Sequence, residues 1–393
     1  MVVPAHSAAA EAAGRACPGC RGSAILGSPN AFGQRNNLGG TSVVGSGEPV
    51  VVCLGVPALG AGLHVERLRA VDPRIDVVVL PVDEGGEWAT VNPALPCGEP
   101  PPWALGCAEQ RRDLLARAEV MIALHAPENL PSYAPKLRWI QSLAAGVEQF
   151  ARAGVPRDRV MLTNASGVSA PSMAEWVLGR LLQVWKRFRE ADAHQEQHEF
   201  VRTYGRTLAG STVGIVGLGS IGREVSLRLR PLGVRVLGQR RSHRPGDPVE
   251  HADAMFGLDQ LHEMLAQCDA VVVSAPATPA TRHLIDAKAL AAMRPDAVLV
   301  NVARGSLVDE EALVVALRTG GIAAAVLDVF DEEPLPAESP FWDLPNVYVS
   351  AHSSVSVDRY MEDVFDLFED NLRRYVAGEP LRNRVDMDAL GFS

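Results

Sequence analysis

Gly217-Leu-Gly219-Ser220-Ile221-Gly222 follows the apolar run 213–216 and opens a stretch with helical spacing. Between a strand and a helix this pattern is a dinucleotide-binding fingerprint. Gly217 permits a tight turn, Gly219 lets backbone approach a pyrophosphate, and Gly222 allows close helix–strand packing. The helix start, at Ser220 and Ile221, offers unpaired N–H groups and a positive dipole end to phosphates. An NAD site places an acid about 20 residues further on, bonded to the ribose 2′-hydroxyl. Here the region after the run 235–237 reads Gly238-Gln-Arg240-Arg241-Ser242-His-Arg244, and no acid stands between Glu224 and Asp247. Two guanidinium forks and the Ser242 hydroxyl suit a 2′-phosphate. NADP(H) is the expected cofactor, with NAD(H) as the second option.

Regular alternation of short apolar runs and helical stretches must carry this turn. Runs at 50–54, 76–80, 120–123, 139–141 and 160–163 read as buried strands, with helical stretches such as 64–70 and 108–118 between them. A second series, 213–216, 235–237, 270–274, 297–301, 323–327 and 347–350, alternates with helices at 221–230, 258–267, 286–293 and 310–318. A last amphipathic helix is expected at 359–375. Such alternation predicts parallel sheets flanked by helices, in two α/β domains. Between the series, Ser172 and Glu175 have capping-box spacing at the head of an amphipathic helix that ends near Arg189.

Four further segments stand in order. They are Leu137-Arg-Trp-Ile-Gln-Ser-Leu-Ala-Ala-Gly-Val-Glu148, Asn301-Val-Ala-Arg304-Gly-Ser-Leu-Val-Asp-Glu-Glu-Ala-Leu313, Leu327-Asp328-Val-Phe-Asp-Glu-Glu333-Pro-Leu-Pro336 and Val349-Ser-Ala-His352. With them the chain, from about residue 50 to its C-terminus, resembles the D-isomer-specific 2-hydroxyacid dehydrogenases.

The resemblance implies an α/β fold of two Rossmann-like or flavodoxin-like domains, with the cofactor domain inserted in a discontinuous substrate domain. The expected boundaries are 49–166 and 353–393 for the substrate domain and 167–352 for the cofactor domain, after an extension at 1–48 that reads as disordered. It assigns catalysis to Arg304, Glu333 and His352. The arginine grips carboxylate and carbonyl oxygens with its planar fork, the histidine carries the proton, and the glutamate holds the ring. It also places Ala275, Pro276, Thr281, Val302, Ala303, Arg304, Asp328 and His352 around the cofactor, with Asp328 on the nicotinamide carboxamide. Ala145, Gly146 and Arg304 take the substrate. Trp103, Trp139 and Leu143 are candidates for setting selectivity. Ser353-Ser354 stands where many members carry glycine-containing turns.

The implied activity is reduction of a 2-keto acid to the D-2-hydroxy acid, most like the glyoxylate and hydroxypyruvate reductases, by a homodimer formed through the cofactor domains. Two rivals share the fold: a dinucleotide-sensing scaffold like the corepressors, and an enzyme for phosphoglycerate, phosphite or a branched keto acid.

Composition narrows the classes. A net charge of −10 argues against partners such as nucleic acid or anionic membrane. The longest uncharged apolar stretch, 50–63, is shorter than the ~20 residues of a spanning helix and is broken by glycine and proline. Six scattered cysteines fit a reducing, cytoplasmic setting, and organelle targeting by the extension is the alternative. Cys17 and Cys20 form a lone CxxC without a second ligand pair. His194 and His198, at i and i+4, also lack a third ligand nearby, so no metal site is expected.

Overall fold

The computed structural model describes residues 48–55, 62–80, 108–241, 243–244, 247, 249–355 and 359–388. The extension, the CxxC motif, Trp103 and Ser242 lie outside them.

The chain begins with β1 (Val50–Leu54), α1 (Gly62–Arg69), β2 (Ile75–Val79), α2 (Ala108–Arg117), β3 (Val120–Ala123), α3 (Leu130–Tyr133), β4 (Trp139–Ser142), α4 (Glu148–Arg152) and β5 (Met161–Thr163). These strands form a five-stranded sheet in the order β2-β1-β3-β4-β5, every pair parallel. Parallel strands with both faces covered are buried along their whole length rather than alternating, as Val120–Ala123 and Trp139–Ser142 are. One face packs Met121, Ile140 and Leu162 against Leu115, Phe150 and Val155.

The second series runs α5 (Ala170–Trp185), α6 (Phe188–Glu196), β6 (Thr212–Val216), α7 (Ser220–Leu229), β7 (Arg235–Gln239), β8 (Ala254–Phe256), α8 (Leu261–Leu265), β9 (Ala270–Val273), α9 (Ala287–Ala292), β10 (Val298–Asn301), α10 (Glu310–Thr319), β11 (Ala324–Leu327) and β12 (Val347–Val349). Its seven strands are parallel in the order β12-β11-β10-β9-β6-β7-β8. The order reverses between β6 and β9, and a crevice at that switch point is where open α/β sheets take ligands. Helix α5 covers one face through Ala174, Val177, Leu181 and Trp185. The last helix, α11 (Tyr360–Ala377), returns to the first sheet, where Val364, Phe365, Phe368, Leu372 and Tyr375 pack on Val52, Leu54, Ile122 and Trp139. Both expected parallel α/β sheets are therefore present.

Three local expectations need correction. Helix α5 starts at Ala170 with Pro171 in its first turn, and Ser172 bonds back to the Ser169 carbonyl instead of capping. Glu175 is free to pair with Arg228 on α7. Strand β8 escaped the sequence reading, because three residues at a sheet edge carry too short an apolar signal. The polar stretch after Arg189 is helical: Arg187, at φ 56, ends α5 and starts α6. On α6, the His194 ring nitrogen Nδ1 lies 2.9 Å from the Glu199 carboxylate. Among the described residues, no helix is long and apolar enough to cross a membrane.

Candidate active site

The assigned residues of the second half of the chain gather along one sheet edge. Arg240 follows β7, Gly217 follows β6, and Ala275 stands just past β9. Val302 follows β10, Asp328 follows β11, and His352 lies three residues beyond β12. These strands are neighbours in the sheet, so parallel topology alone lines their carboxyl ends into one row.

The glycine turn fits a dinucleotide on steric grounds. Gly217 has φ 93, and a Cβ there would stand 2.5 Å from the Ala275 backbone. A Cβ on Gly222 would meet the Gly217 carbonyl at 2.7 Å. Both glycines are therefore needed for packing. Gly219, at the start of α7, differs, since a Cβ there would meet nothing within 4 Å among the described residues. The first N–H groups of α7 have no acceptor in the helix and are available to phosphate oxygens. Ser274 Oγ bonds the Gly217 carbonyl at 2.9 Å, and Thr281 Oγ1 bonds the Pro276 carbonyl at 2.8 Å, so Thr281 shapes the loop beside the turn. Val216 pairs with Gln239, which places Arg240 next to the turn. Arg241 is exposed.

His352 and Glu333 come together: Nδ1 and Oε2 are 2.9 Å apart. Glu333 Oε1 accepts a bond from the Phe330 N–H at 3.0 Å, so both oxygens of the carboxylate are fixed. With Nδ1–H committed to Glu333, Nε2 is the nitrogen left to exchange a proton. Arg304 is half-buried at the end of β10, and its Nη1 donates to the Ala303 carbonyl at 2.8 Å.

Two residues that the sequence reading passed over hold this arrangement. Asn301, 1% exposed, accepts from Ala303 N and donates to Arg304 O, folding the turn that presents the arginine. Gly305 lies against the loop that carries Glu333, and a Cβ would fall 1.9 Å from the Phe330 carbonyl carbon. The spacing Asn-x-x-Arg-Gly was the available signal for both. Behind them Glu310 accepts from Asp331 N at 2.8 Å. Burial pushes its carboxyl above the ordinary range, and the charges of Asp331 and Glu333 add to that against the Asp331 hydrogen bond.

Asp328 is fully buried. It accepts from Ser350 Oγ at 2.6 Å, Ser353 N at 2.9 Å and Ser354 N at 3.1 Å. Its carboxylate thus shapes the backbone after His352. Serines can replace a glycine-containing turn here because their amides bond Asp328, while the left-handed backbone falls on His352, at φ 47.

On the first sheet, Ala145 and Gly146 follow β4. Leu143 N bonds Ala123 O and Ala144 N bonds Ser142 Oγ, whereas the amides of Ala145 and Gly146 have no acceptor among the described residues. Two successive N–H groups without an acceptor are available to an anion. Two selectivity candidates are corrected. Trp139 is 0% exposed, stacked on Tyr375 and bonded to Thr163, and Leu143 is 2% exposed, so neither side chain can line a cleft.

The NAD binding domain of the D-isomer specific 2-hydroxyacid dehydrogenases matches residues 178–354. A D-isomer specific 2-hydroxyacid dehydrogenase family protein from Aeromonas salmonicida subsp. salmonicida superposes with a TM-score of 0.71 and 32% identity, covering 87% of this chain and 99% of that one. An NADPH-dependent glyoxylate/hydroxypyruvate reductase from Sinorhizobium meliloti, solved with NADP and sulfate, superposes with a TM-score of 0.67 and 29% identity, covering 87% and 99%. The glyoxylate reductase of Thermococcus gammatolerans is 35% identical over 255 residues, 63% of this chain and 75% of that protein. The chain belongs to the D-isomer specific 2-hydroxyacid dehydrogenase family, whose members are NAD(P)-dependent dehydrogenases and reductases of small 2-hydroxy and 2-keto acids.

Proposed function

We propose that this protein is an NADP(H)-preferring reductase of a small 2-keto acid, of the glyoxylate or hydroxypyruvate type, forming the D-2-hydroxy acid. The observation that carries the reading is the His352–Glu333 pair, 2.9 Å apart, on a loop pressed against the Arg304 turn through Gly305. Reduced nicotinamide, when bound, supplies the hydride. Arg304 holds carboxylate and carbonyl oxygens, and the Ala145 and Gly146 amides take the remaining carboxylate charge. His352 gives its Nε2 proton to the developing alkoxide, and Glu333 stabilises the imidazolium that precedes this transfer. In the reverse direction the same nitrogen accepts the proton. Asp328 is fully buried and serves the cofactor side through the serine turn that it holds, not by a direct carboxamide contact.

Arg240 and Arg241 take the 2′-phosphate in this reading. It is supported by the absence of an acid between Glu224 and Asp247 and by the NADP bound in the Sinorhizobium enzyme. The cofactor domain spans 167–352, inserted between 49–166 and 353–393. Exposed Phe200, Val201 and Tyr204 beside α6 support a homodimer formed through that domain. Buried, unpaired thiols at Cys53 and Cys268 suit the cytoplasm.

An initial-rate screen of 2-keto acids with NADPH and NADH in parallel tests the proposal. We expect glyoxylate and hydroxypyruvate to be reduced, faster with NADPH. Tight dinucleotide binding with no turnover of any keto acid would leave the scaffold reading instead.

A further inference from the structure

The loop after β4 offers two free amides, and its carbonyls are held from behind by donors on other segments. Leu143 O accepts from Tyr360 Oη at 2.5 Å. Ala144 O accepts from Ala165 N at 3.0 Å, and Ala145 O accepts from Asn164 Nδ2 at 2.7 Å. A peptide plane whose carbonyl is fixed on one side presents the following N–H on the other. The ties at Ala144 O and Ala145 O therefore set where the Ala145 and Gly146 amides point, and the tie at Leu143 O anchors the peptide that enters the loop.

Two of the ties lead to the C-terminal segment. Tyr360 is the first residue of α11, and burial pushes its phenol up to about 12, so it remains a donor at any working pH. Asn164 is itself fixed by Asn383. Asn164 N donates to Asn383 O at 3.1 Å, and Asn383 Nδ2 donates to Asn164 O at 3.1 Å and Ser166 O at 2.8 Å. Between these contact points, fully buried Asn371 on α11 donates to Arg382 O and accepts from Arg382 N. It also reaches Gln141 Oε1 at 3.2 Å, in the strand that leads into the loop. Thr163 and Trp139 complete this buried chain. Apolar side chains would fill the same space without the desolvation cost, whereas a fully bonded polar network fixes one geometry.

We propose that the segment 360–383 is the positioning element of the substrate-carboxylate loop, and that Tyr360 and Asn383 are its contact points. The proposal rests on the reading that the Ala145 and Gly146 amides hold the carboxylate. Neither residue touches substrate; each acts through the loop.

Tyr360→Phe removes one hydroxyl and keeps the ring. Asn383→Gly removes the side-chain donor and keeps the left-handed backbone, φ 55, that glycine adopts freely. In the full-length protein with saturating NADPH, each variant should raise KM for glyoxylate and hydroxypyruvate by ~2- to 12-fold, the worth of one hydrogen bond. kcat should fall less than KM rises, and the Kd for NADPH should not move. Unchanged KM in both variants, beside an active wild type, would overturn this inference and spare the proposed function. A Kd for NADPH rising in step with KM would show general loosening and overturn it equally. A wild type that reduces no keto acid would remove both. If Tyr360→Phe fails to fold, Asn383→Gly decides alone.

Discussion

Along the second sheet the proposed site consists of side chains and of glycines that could be nothing else. His352 and Glu333 are paired through ring and carboxylate, Arg304 offers its fork, and Gly217, Gly222 and Gly305 leave no room for a Cβ. Along the first sheet the proposed site consists of peptide groups, the amides of Ala145 and Gly146, with no side chain assigned a part. Chemistry placed in side chains is lost by a single replacement at the residue itself. Chemistry placed in the backbone survives replacement of its own side chains and is lost only when its supports move. The two halves should therefore respond to mutation in different ways.

The largest effect should come from the proton carrier. His352→Ala should cut turnover by ~10²–10⁴-fold, the usual worth of a positioned acid, with NADPH binding nearly intact in a fluorescence titration. Near-normal turnover would remove His352 from the chemistry, and a collapse of NADPH affinity would make it a structural residue.

Next comes the anion grip. Arg304→Lys keeps the charge and loses the two-pronged geometry, so kcat/KM for keto acids should fall by ~10- to 150-fold, with KM and kcat both affected. If lysine restores wild-type rates at every substrate level, the fork is not used. Replacing Ala145 by serine, by contrast, should change kcat/KM by less than ~3-fold, because the amide remains. A large loss there would break the distinction between the two halves.

Cofactor choice should respond at a similar scale. Arg240→Asp removes a charge-assisted contact and restores an acceptor for a free 2′-hydroxyl, so the NADPH/NADH ratio of kcat/KM should fall by at least ~10-fold. Arg241→Ala should weaken NADPH alone. An unmoved ratio in both would make them surface charges.

The smallest effect should lie in the support of the first sheet. His64 and Arg67 on α1 bond Glu362 on α11 and hold its carboxyl below the usual carboxylate range. Its folded pKa is lower than its unfolded one. The pair therefore contributes stability above the unfolded value, and this is lost as pH falls through the folded value. Glu362→Gln should lower Tm by only ~1–2 °C near neutrality, because the pair is half-exposed. Scanning calorimetry should show that difference vanishing in acid below the folded pKa.

This contrast also explains what could be read from residues alone. The glycine turn and Arg240 are legible because each needs a particular residue type at a particular place, while Arg304, Glu333 and His352 were reached through the family resemblance. The carboxylate loop is not: alanine and glycine carry no chemistry of their own, and only family resemblance pointed to Ala145 and Gly146. Trp139 and Leu143 were misleading for the same reason, since large side chains beside such a loop belong to the core beneath it. Asn371 and Tyr360 act on backbone atoms distant in sequence, and no local pattern marks such contacts.

The most direct test of the whole account is the stoichiometry of the reaction in the purified full-length protein. With hydroxypyruvate as substrate, NADPH oxidised should equal glycerate formed, one to one, and the glycerate should be the D-isomer. NADPH that binds but is not consumed, or a product of the opposite hand, would contradict the assignment of the His352–Glu333 pair and the amide loop to one 2-keto-acid site.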